Sequence, residues 1–321
     1  MSEAALRALY TIDEASEEFA RDLVGGLRRS PKEIPCKYFY DARGSELFDR
    51  ICRLPEYYQT RTETALLREH AAEVARLMGP RVELIEFGAG SLAKVRILLD
   101  ALETPQSYVP IDISGDYLLE VVVGLEEDYP DMTLRPVIAD FTQELTLPTK
   151  EMAVSRRVGF FPGSTIGNFP RPAAVAFLKN AAKVLKGGGL LIGTDLVKDP
   201  AILHAAYNDQ AGVTAAFNKN LLLRANRELG ANFDLNQFAH HACYNPLARK
   251  IEMYLVSLAR QTVRVAGETV RFAEGEAVHT EDSHKYTLEG FTELAIEAGF
   301  APRKSWTDAH RLFAIHWLET R

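Results

Sequence analysis

Three carboxylates stand where a parallel sheet presents side chains to a ligand: Glu86 in "VELIEF" (82–87), Asp112 in "SYVPIDIS" (107–114) and Asp140 in "LRPVIADF" (134–141). Directly after the first comes "GAGSLAK". It sets Gly88, Gly90 and Ala93 at the positions of a G-x-G-x-x-G/A turn, with Lys94 in the first turn of the helix that follows. Such a turn suits either a dinucleotide or S-adenosylmethionine. The acids choose between them. Glu86 beside the glycines repels a pyrophosphate and attracts the ammonium of a methionine moiety. Asp112 can accept from ribose hydroxyls in both cases. Asp140 with Phe141 suits an adenine, a carboxylate for the exocyclic amine beside an aromatic wall, and a nicotinamide dinucleotide needs no such pair. Lys94 can reach a ligand carboxylate. Acids at strand ends also cap helices, but three in succession favour S-adenosyl-L-methionine.

The elements that must position these groups follow a regular order. From Val82 to Asp195 short apolar runs alternate with helical patterns, adding "RRVGFFPGSTIGN" (156–168), the helical "PAAVAFLKNAAKVLK" and "GGGLLIGTDLV" (187–197). This is the βαβ rhythm of a doubly wound sheet. The C-terminus adds a helix (287–300) and two strand-like runs, "RKSWTD" and "RLFAIHWLE", which predict an antiparallel hairpin at the sheet's edge. Dinucleotide domains finish on a parallel strand, whereas methyltransferase sheets finish on such a hairpin. The expected fold class is therefore α/β, a class I methyltransferase (Rossmann-like) sheet.

About ninety residues break the rhythm between the fifth strand and the C-terminal helix. A helical stretch from Pro200 to Leu229 precedes "RKIEMYLVSLARQTVRV" and "ETVRFAEGEAVHTE", which alternate as half-buried antiparallel strands do. The first sixty residues also lie outside the sheet. The chain is expected to hold a cofactor domain (61–196 and 286–321) and a second α+β domain (1–60 and 197–285) that binds substrate.

Composition narrows the partners. A formal charge of −7 argues against a nucleic-acid binder. Three cysteines, Cys36, Cys52 and Cys243, are too few and scattered for a disulfide framework or a zinc site. No apolar run reaches the roughly 18 residues of a membrane span, and the N-terminus lacks an apolar signal core. A cytoplasmic monomer without a metal is expected. "HHAC" (240–243) looks metal-like, but adjacent side chains diverge and no further ligand accompanies them. "PGSTIGN" resembles a nucleophile elbow, yet it carries threonine at its centre and no triad order.

Longer stretches carry a resemblance. "KYFYDARGSELFD" (37–49), "LPEYYQTRTE" (54–63), "FPGSTIGN" (161–168), "GTDLVKD" (193–199), "AYNDQAGVTAAFNKN" (206–220), "IEMYL" (251–255) and "TEDSHKY" (280–286) resemble the histidine Nα-methyltransferases of ergothioneine biosynthesis, which trimethylate L-histidine to hercynine. The likeness runs over nearly the whole chain. It implies imidazole contacts at Glu281 and Ser283 with Tyr57 nearby. It also implies contacts to the α-carboxylate and α-amine at Asn168, Tyr207 and Tyr40, and pocket walls at Phe48 and Met253. Asn168 and Tyr40 would act closest to the reacting amine. The cofactor loop departs from the wider methyltransferase pattern at Leu92, where a third glycine is common.

These residue types cohere chemically. A carboxylate and a hydroxyl two apart on a strand point the same way and can grip both ring nitrogens of an imidazole. An asparagine amide can hold a carboxylate and orient an amine, and tyrosine faces attract a trimethylammonium product. Singly, each has a plainer reading: Tyr40, Tyr57 and Phe48 as core aromatics, Met253 as core filler, Glu281 as a surface acid. Two rival functions stand beside this one. The first is a methyltransferase of the same fold acting on another amine, such as a tryptophan-like amino acid, against which an acid plus a hydroxyl argues, because indole has one donor. The second is a protein that binds S-adenosylmethionine without catalysis.

Overall fold

The computed structural model describes residues 16–90, 92–145, 147–149 and 153–321. In chain order the elements are α1 (16–27), β1 (Lys32–Glu33), α2 (Ala42–Ile51), α3 (Tyr58–Met78), β2 (Glu83–Phe87), α4 (Leu92–Ala101), β3 (Ser107–Asp112) and α5 (Gly115–Glu126). Then come β4 (Thr133–Leu134), β5 (Val137–Ile138), β6 (Arg157–Phe161), α6 (Arg171–Val184), β7 (Gly189–Asp195), α7 (Pro200–Tyr207) and α8 (Val213–Leu229). The chain closes with β8 (Phe238–Asn245), β9 (Lys250–Ser257), β10 (Gln261–Val265), β11 (Glu268–Phe272), β12 (Ala277–His284), α9 (Leu288–Glu297), β13 (Phe300–Thr307) and β14 (Phe313–Thr320). It divides into two units: Met1–Arg53, Leu203–Asn245 and Ile251–Asp282; and Leu54–Ile202, Pro246–Lys250 and Ser283–Arg321.

The Leu54–Ile202 unit is built on a sheet of order β13-β14-β7-β6-β2-β3-β4, with β5 also on β3. β2, β3, β6 and β7 pair in parallel, while β14 runs antiparallel to both β7 and β13. Every residue of β2 and β7 is buried, as strands covered on both faces must be. Successive side chains go to opposite layers. Leu84 joins Leu67, Val74 and Leu98 from α3 and α4, whereas Ile85 joins Phe177 and Leu178 from α6 and Phe291 from α9. The methyltransferase-type sheet and its terminal hairpin are as the sequence predicts.

The third strand is not. The expected run over 134–141 is two short pieces on either side of Arg135–Pro136. Proline has no N–H to give the ladder, and only Arg135 N bonds across there, to Tyr108 O at 2.9 Å.

In the Met1–Arg53 unit a second sheet has the order β1-β12-β9-β8, and β10 and β11 form a separate hairpin. β9 alternates half-buried and buried residues along its length, the pattern read from the sequence. The helix expected from Pro200 to Leu229 is two helices. The Asp209 carboxylate accepts the N–H groups of Val213 at 2.8 Å and Thr214 at 2.7 Å, and so caps α8 after a break.

Candidate active site

In the Leu54–Ile202 unit β2 runs into Gly88, whose φ of 75° suits glycine. The N–H groups of Gly88 and Ala89 both donate to Ile111 O, at 2.8 and 2.9 Å, which pins the turn to the end of β3. A Cβ on Gly88 would lie 3.4 Å from the Phe141 ring, so these two expected cofactor residues are brought together. A Cβ on Gly90 would meet nothing within 4 Å, which leaves an open cradle over that backbone. Asp112 ends β3 and accepts Ser114 N at 2.8 Å, and burial pushes its carboxyl up to about 6. Asp140 lies two residues beyond β5 and accepts from Thr142 N (2.9 Å) and Oγ1 (2.6 Å). Phe141 also packs edge-on to Phe161 and Phe177.

Glu86 is only 2% exposed, and the Tyr108 hydroxyl donates to it. Burial raises its carboxyl to about 8, against the opposing pull of the Tyr108 bond and the Lys94 charge. Burial therefore works against the anion that the sequence suggests here, while Tyr108 and Lys94 work for it. Lys94 projects from α4 as expected but rests on Glu63 Oε2 at 2.5 Å. Nothing in the sequence reading singled out Glu63.

Asn168 does not end a strand, although the run "RRVGFFPGSTIGN" (156–168) predicts one up to it. β6 stops at Phe161, and Asn168 closes a 3-10 turn over Thr165–Asn168. Ser164 opens that turn in the left-handed region, with φ 57°. A Cβ on Gly167 would stand 2.8 Å from His284 O, so only glycine lets the turn lie against the end of β12. Tyr57 precedes α3 and is largely buried.

Beneath these lies a polar network. Asp195, at the end of β7 and fully buried, accepts from Tyr58 Oη (2.8 and 2.9 Å), Lys198 Nζ (2.5 Å) and Lys285 Nζ (2.8 Å). Burial pushes its carboxyl up, but the two ammonium groups outweigh that and hold it below the usual range. Lys198 is lowered to about 8, mainly by burial. Lys285 also donates to Ser283 Oγ at 2.7 Å.

The other unit carries the remaining expected residues. Asp41 caps α2 through Gly44 N at 2.7 Å and takes Asn220 Nδ2 and Arg227 as partners, at 2.7 and 2.6 Å. That fixes Tyr40, whose ring meets Phe48 edge-on at 5.8 Å and Phe217 at the same distance. Tyr207 ends α7, and its carbonyl accepts from His240 Nε2 at 2.9 Å. Because a carbonyl only accepts, Nε2 carries the hydrogen and Nδ1 takes one from Asn218 Nδ2. "HHAC" thus supports the backbone of Tyr207. Met253 is buried on β9 and Glu281 on β12 is 9% exposed. Burial, then the nearby Glu281 charge, pushes the Cys36 thiol up to about 12. Among the described residues no group of three or more His, Cys, Asp or Glu could hold a metal.

Residues 19–320 match a family model described as histidine-specific methyltransferase, SAM-dependent. The chain is 44% identical over 302 residues to a histidine N-alpha-methyltransferase of Mycolicibacterium smegmatis, covering 92% of this chain and 93% of that protein. It is 42% identical to the Mycobacterium tuberculosis protein of the same name, covering 90% of each. Ergothioneine biosynthesis protein 1 of Neurospora crassa is 31% identical over 90% of this chain and 33% of its own. The chain belongs to the SAM-dependent histidine-specific methyltransferases.

As a member of this family it is an enzyme whose cofactor is S-adenosylmethionine. The residues present fit that group: an open glycine cradle at Gly90, a carboxylate at the end of β3 and an aromatic wall against Gly88. In the sequence of this methyltransferase Glu63, Tyr58, Asp195, Lys198 and Lys285 are not singled out. A signal existed for one of them. Asp195 interrupts the apolar run "GGGLLIGTDLV" at a strand's end, where a solvated acid has no reason to be.

Proposed function

We propose that the enzyme transfers methyl groups from S-adenosylmethionine to the α-amine of L-histidine, three in succession, to form hercynine in ergothioneine biosynthesis. Membership of the family supports the substrate class. The observation that carries the reading is on β12, where Glu281 and Ser283, two residues apart, are 9% and 5% exposed. A buried carboxylate and a buried hydroxyl at that spacing suit a ring with two nitrogens.

In this reading Tyr40, Phe48, Tyr57, Asn168, Tyr207, Met253, Glu281 and Ser283 take the substrate. Residues 61–196 and 286–321 hold the cofactor through Glu86, Gly88, Gly90, Lys94, Asp112, Asp140 and Phe141, and 1–60 with 197–285 hold the substrate. The bound cofactor supplies an electrophilic methyl group on sulfur. Asn168 and Tyr207 take the substrate carboxylate, and Asn168 and Tyr40 aim the amine's lone pair at that methyl group. Positioning is then the main contribution, because in-line displacement gains from fixed geometry and the thioether leaves without an acid. Each attack requires the amine to have lost a proton. Tyrosine faces tolerate the growing ammonium. No described helix is long and apolar enough to cross a membrane, and we place the enzyme in the cytoplasm as a monomer.

The test is incubation with S-adenosylmethionine and a panel of amino acids, with products read by mass. Histidine should gain three methyl groups. Histidine left untouched while another amine is methylated would overturn the substrate assignment.

A further inference from the structure

Two ammonium groups meet one carboxylate in the interior of the Leu54–Ile202 unit. Lys285 is fully buried with Nζ 2.8 Å from Asp195 Oδ2, and Lys198 reaches Oδ1 at 2.5 Å. One cation would neutralise Asp195. A second, taken from water at the desolvation cost of a buried ion, calls for another duty, and its second bond names one: Lys285 Nζ lies 2.7 Å from Ser283 Oγ. The same aspartate reaches a second expected substrate element through its backbone. Its N–H donates to Ser164 Oγ at 2.8 Å, and Ser164 opens the turn that ends at Asn168. Its carbonyl accepts Tyr286 N at 2.9 Å, which ties down the chain just after β12. Its carboxylate takes the hydroxyl of Tyr58, the chain neighbour of Tyr57.

We propose that Asp195 and Lys285 are positioning residues for the amino-acid substrate: without touching it, they fix the Ser283 hydroxyl and the turn that carries Asn168. This rests on the substrate reading of Ser283 and Asn168 given above. The chemistry gives the device a direction. By donating to Oγ, the ammonium occupies a lone pair of that oxygen, so the hydroxyl meets a ligand with its hydrogen. A hydroxyl polarised by a charged donor is a stronger donor itself. It selects a ligand atom that accepts, which a neutral imidazole has and an imidazolium lacks.

Lys285→Met tests this, because it leaves Asp195 and Lys198 as a one-to-one pair. KM and the calorimetric Kd for histidine should rise about tenfold, the scale of a charge-assisted hydrogen bond. kcat should stay within about twofold and S-adenosylmethionine affinity should not change, a split that general loosening does not give. In a Ser283→Ala background the same change should cost nothing further. Lys285→Arg keeps the charge and should lose about threefold, again only when Ser283 is present. It serves as the probe if the methionine variant is unstable. Ser283→Ala weakening histidine while both Lys285 variants bind it normally would overturn the positioning role and spare the substrate site. Equal losses with and without Ser283 would overturn it too. Ser283→Ala binding histidine as the native enzyme does would overturn both.

Discussion

Both carboxylate oxygens of Glu63 accept the N–H of Gly163, at 3.0 and 2.9 Å, from a helix one hundred residues earlier in the chain. Oε2 also takes Lys94, and a Cβ on Gly193 would lie 2.2 Å from Oε1. One buried acid therefore joins α3, the start of α4, the turn after β6 and the floor of β7. Glu63→Ala leaves an ammonium and a backbone donor without it and should destabilise by about 3–5 kcal/mol, the cost of halving a buried pair. Urea unfolding of the purified variant measures this. Gly193→Ala forces a methyl into the same spot and should cost about 1–3 kcal/mol.

Glu86 should impose a pH slope on stability. Its folded-state pKa, about 8, lies above its ordinary value of 4.5. Between those limits the native state binds the extra proton, so stability falls as pH rises. Glu86→Gln keeps the shape and a partner for Tyr108 while removing the titration. Denaturation curves at pH 5, 6, 7 and 8 should show a smaller fall in the variant.

Asp112 should matter for the cofactor. Asp112→Ala is expected to weaken S-adenosylmethionine by about 1.5–3 kcal/mol, the value of a hydrogen bond to a charged acceptor. In the free enzyme its carboxyl sits at about 6 because of burial. Affinity should accordingly drop as pH falls through 6, when the acceptor takes a proton. Calorimetry across that range checks both statements.

Ring recognition and amine recognition should separate. Glu281→Ala is expected to cost about 1.5–3 kcal/mol of histidine affinity, roughly 10- to 150-fold, with cofactor affinity intact. Asn168→Ala should instead lower kcat even at saturating histidine, because the attacking amine is misplaced. Steady-state kinetics of the two variants, with folding checked by circular dichroism, distinguishes them.

The sheet was readable because its parallel strands are covered on both faces and so appear as short, mostly apolar runs without alternation, "GLLIG" of β7 above all, although β2 carries Glu83 and Glu86 within its run. The terminal hairpin was readable because two strands with a short link have one simple pairing. The third strand misled because "LRPVIADF" has strand composition, while its proline withholds a ladder donor. The break between α7 and α8 was written in "YNDQAG", where Asp209 caps and Gly212 turns at φ 70°, but apolar periodicity on both sides hid it. Of the candidate site, the glycine turn and the acids at or near strand ends were visible in their spacing. Glu63 and Lys285 were not, since a buried charge outside an apolar run looks like a solvated one until a partner distant in sequence is placed beside it.

The pairing order of the strands has a consequence for biosynthesis. β7 gains its second neighbour only from β14, and β1, near residue 32, pairs with β12, near residue 278. On the ribosome, then, β1 waits for more than two hundred residues of later chain, and the large sheet keeps an open edge at Gly189–Asp195 until the last strand emerges. Closing such distant contacts is slow. From Asp195 to Phe313 a nascent chain of this enzyme grows by more than a hundred residues with that edge uncovered, the condition under which chaperones bind and unpaired edges aggregate.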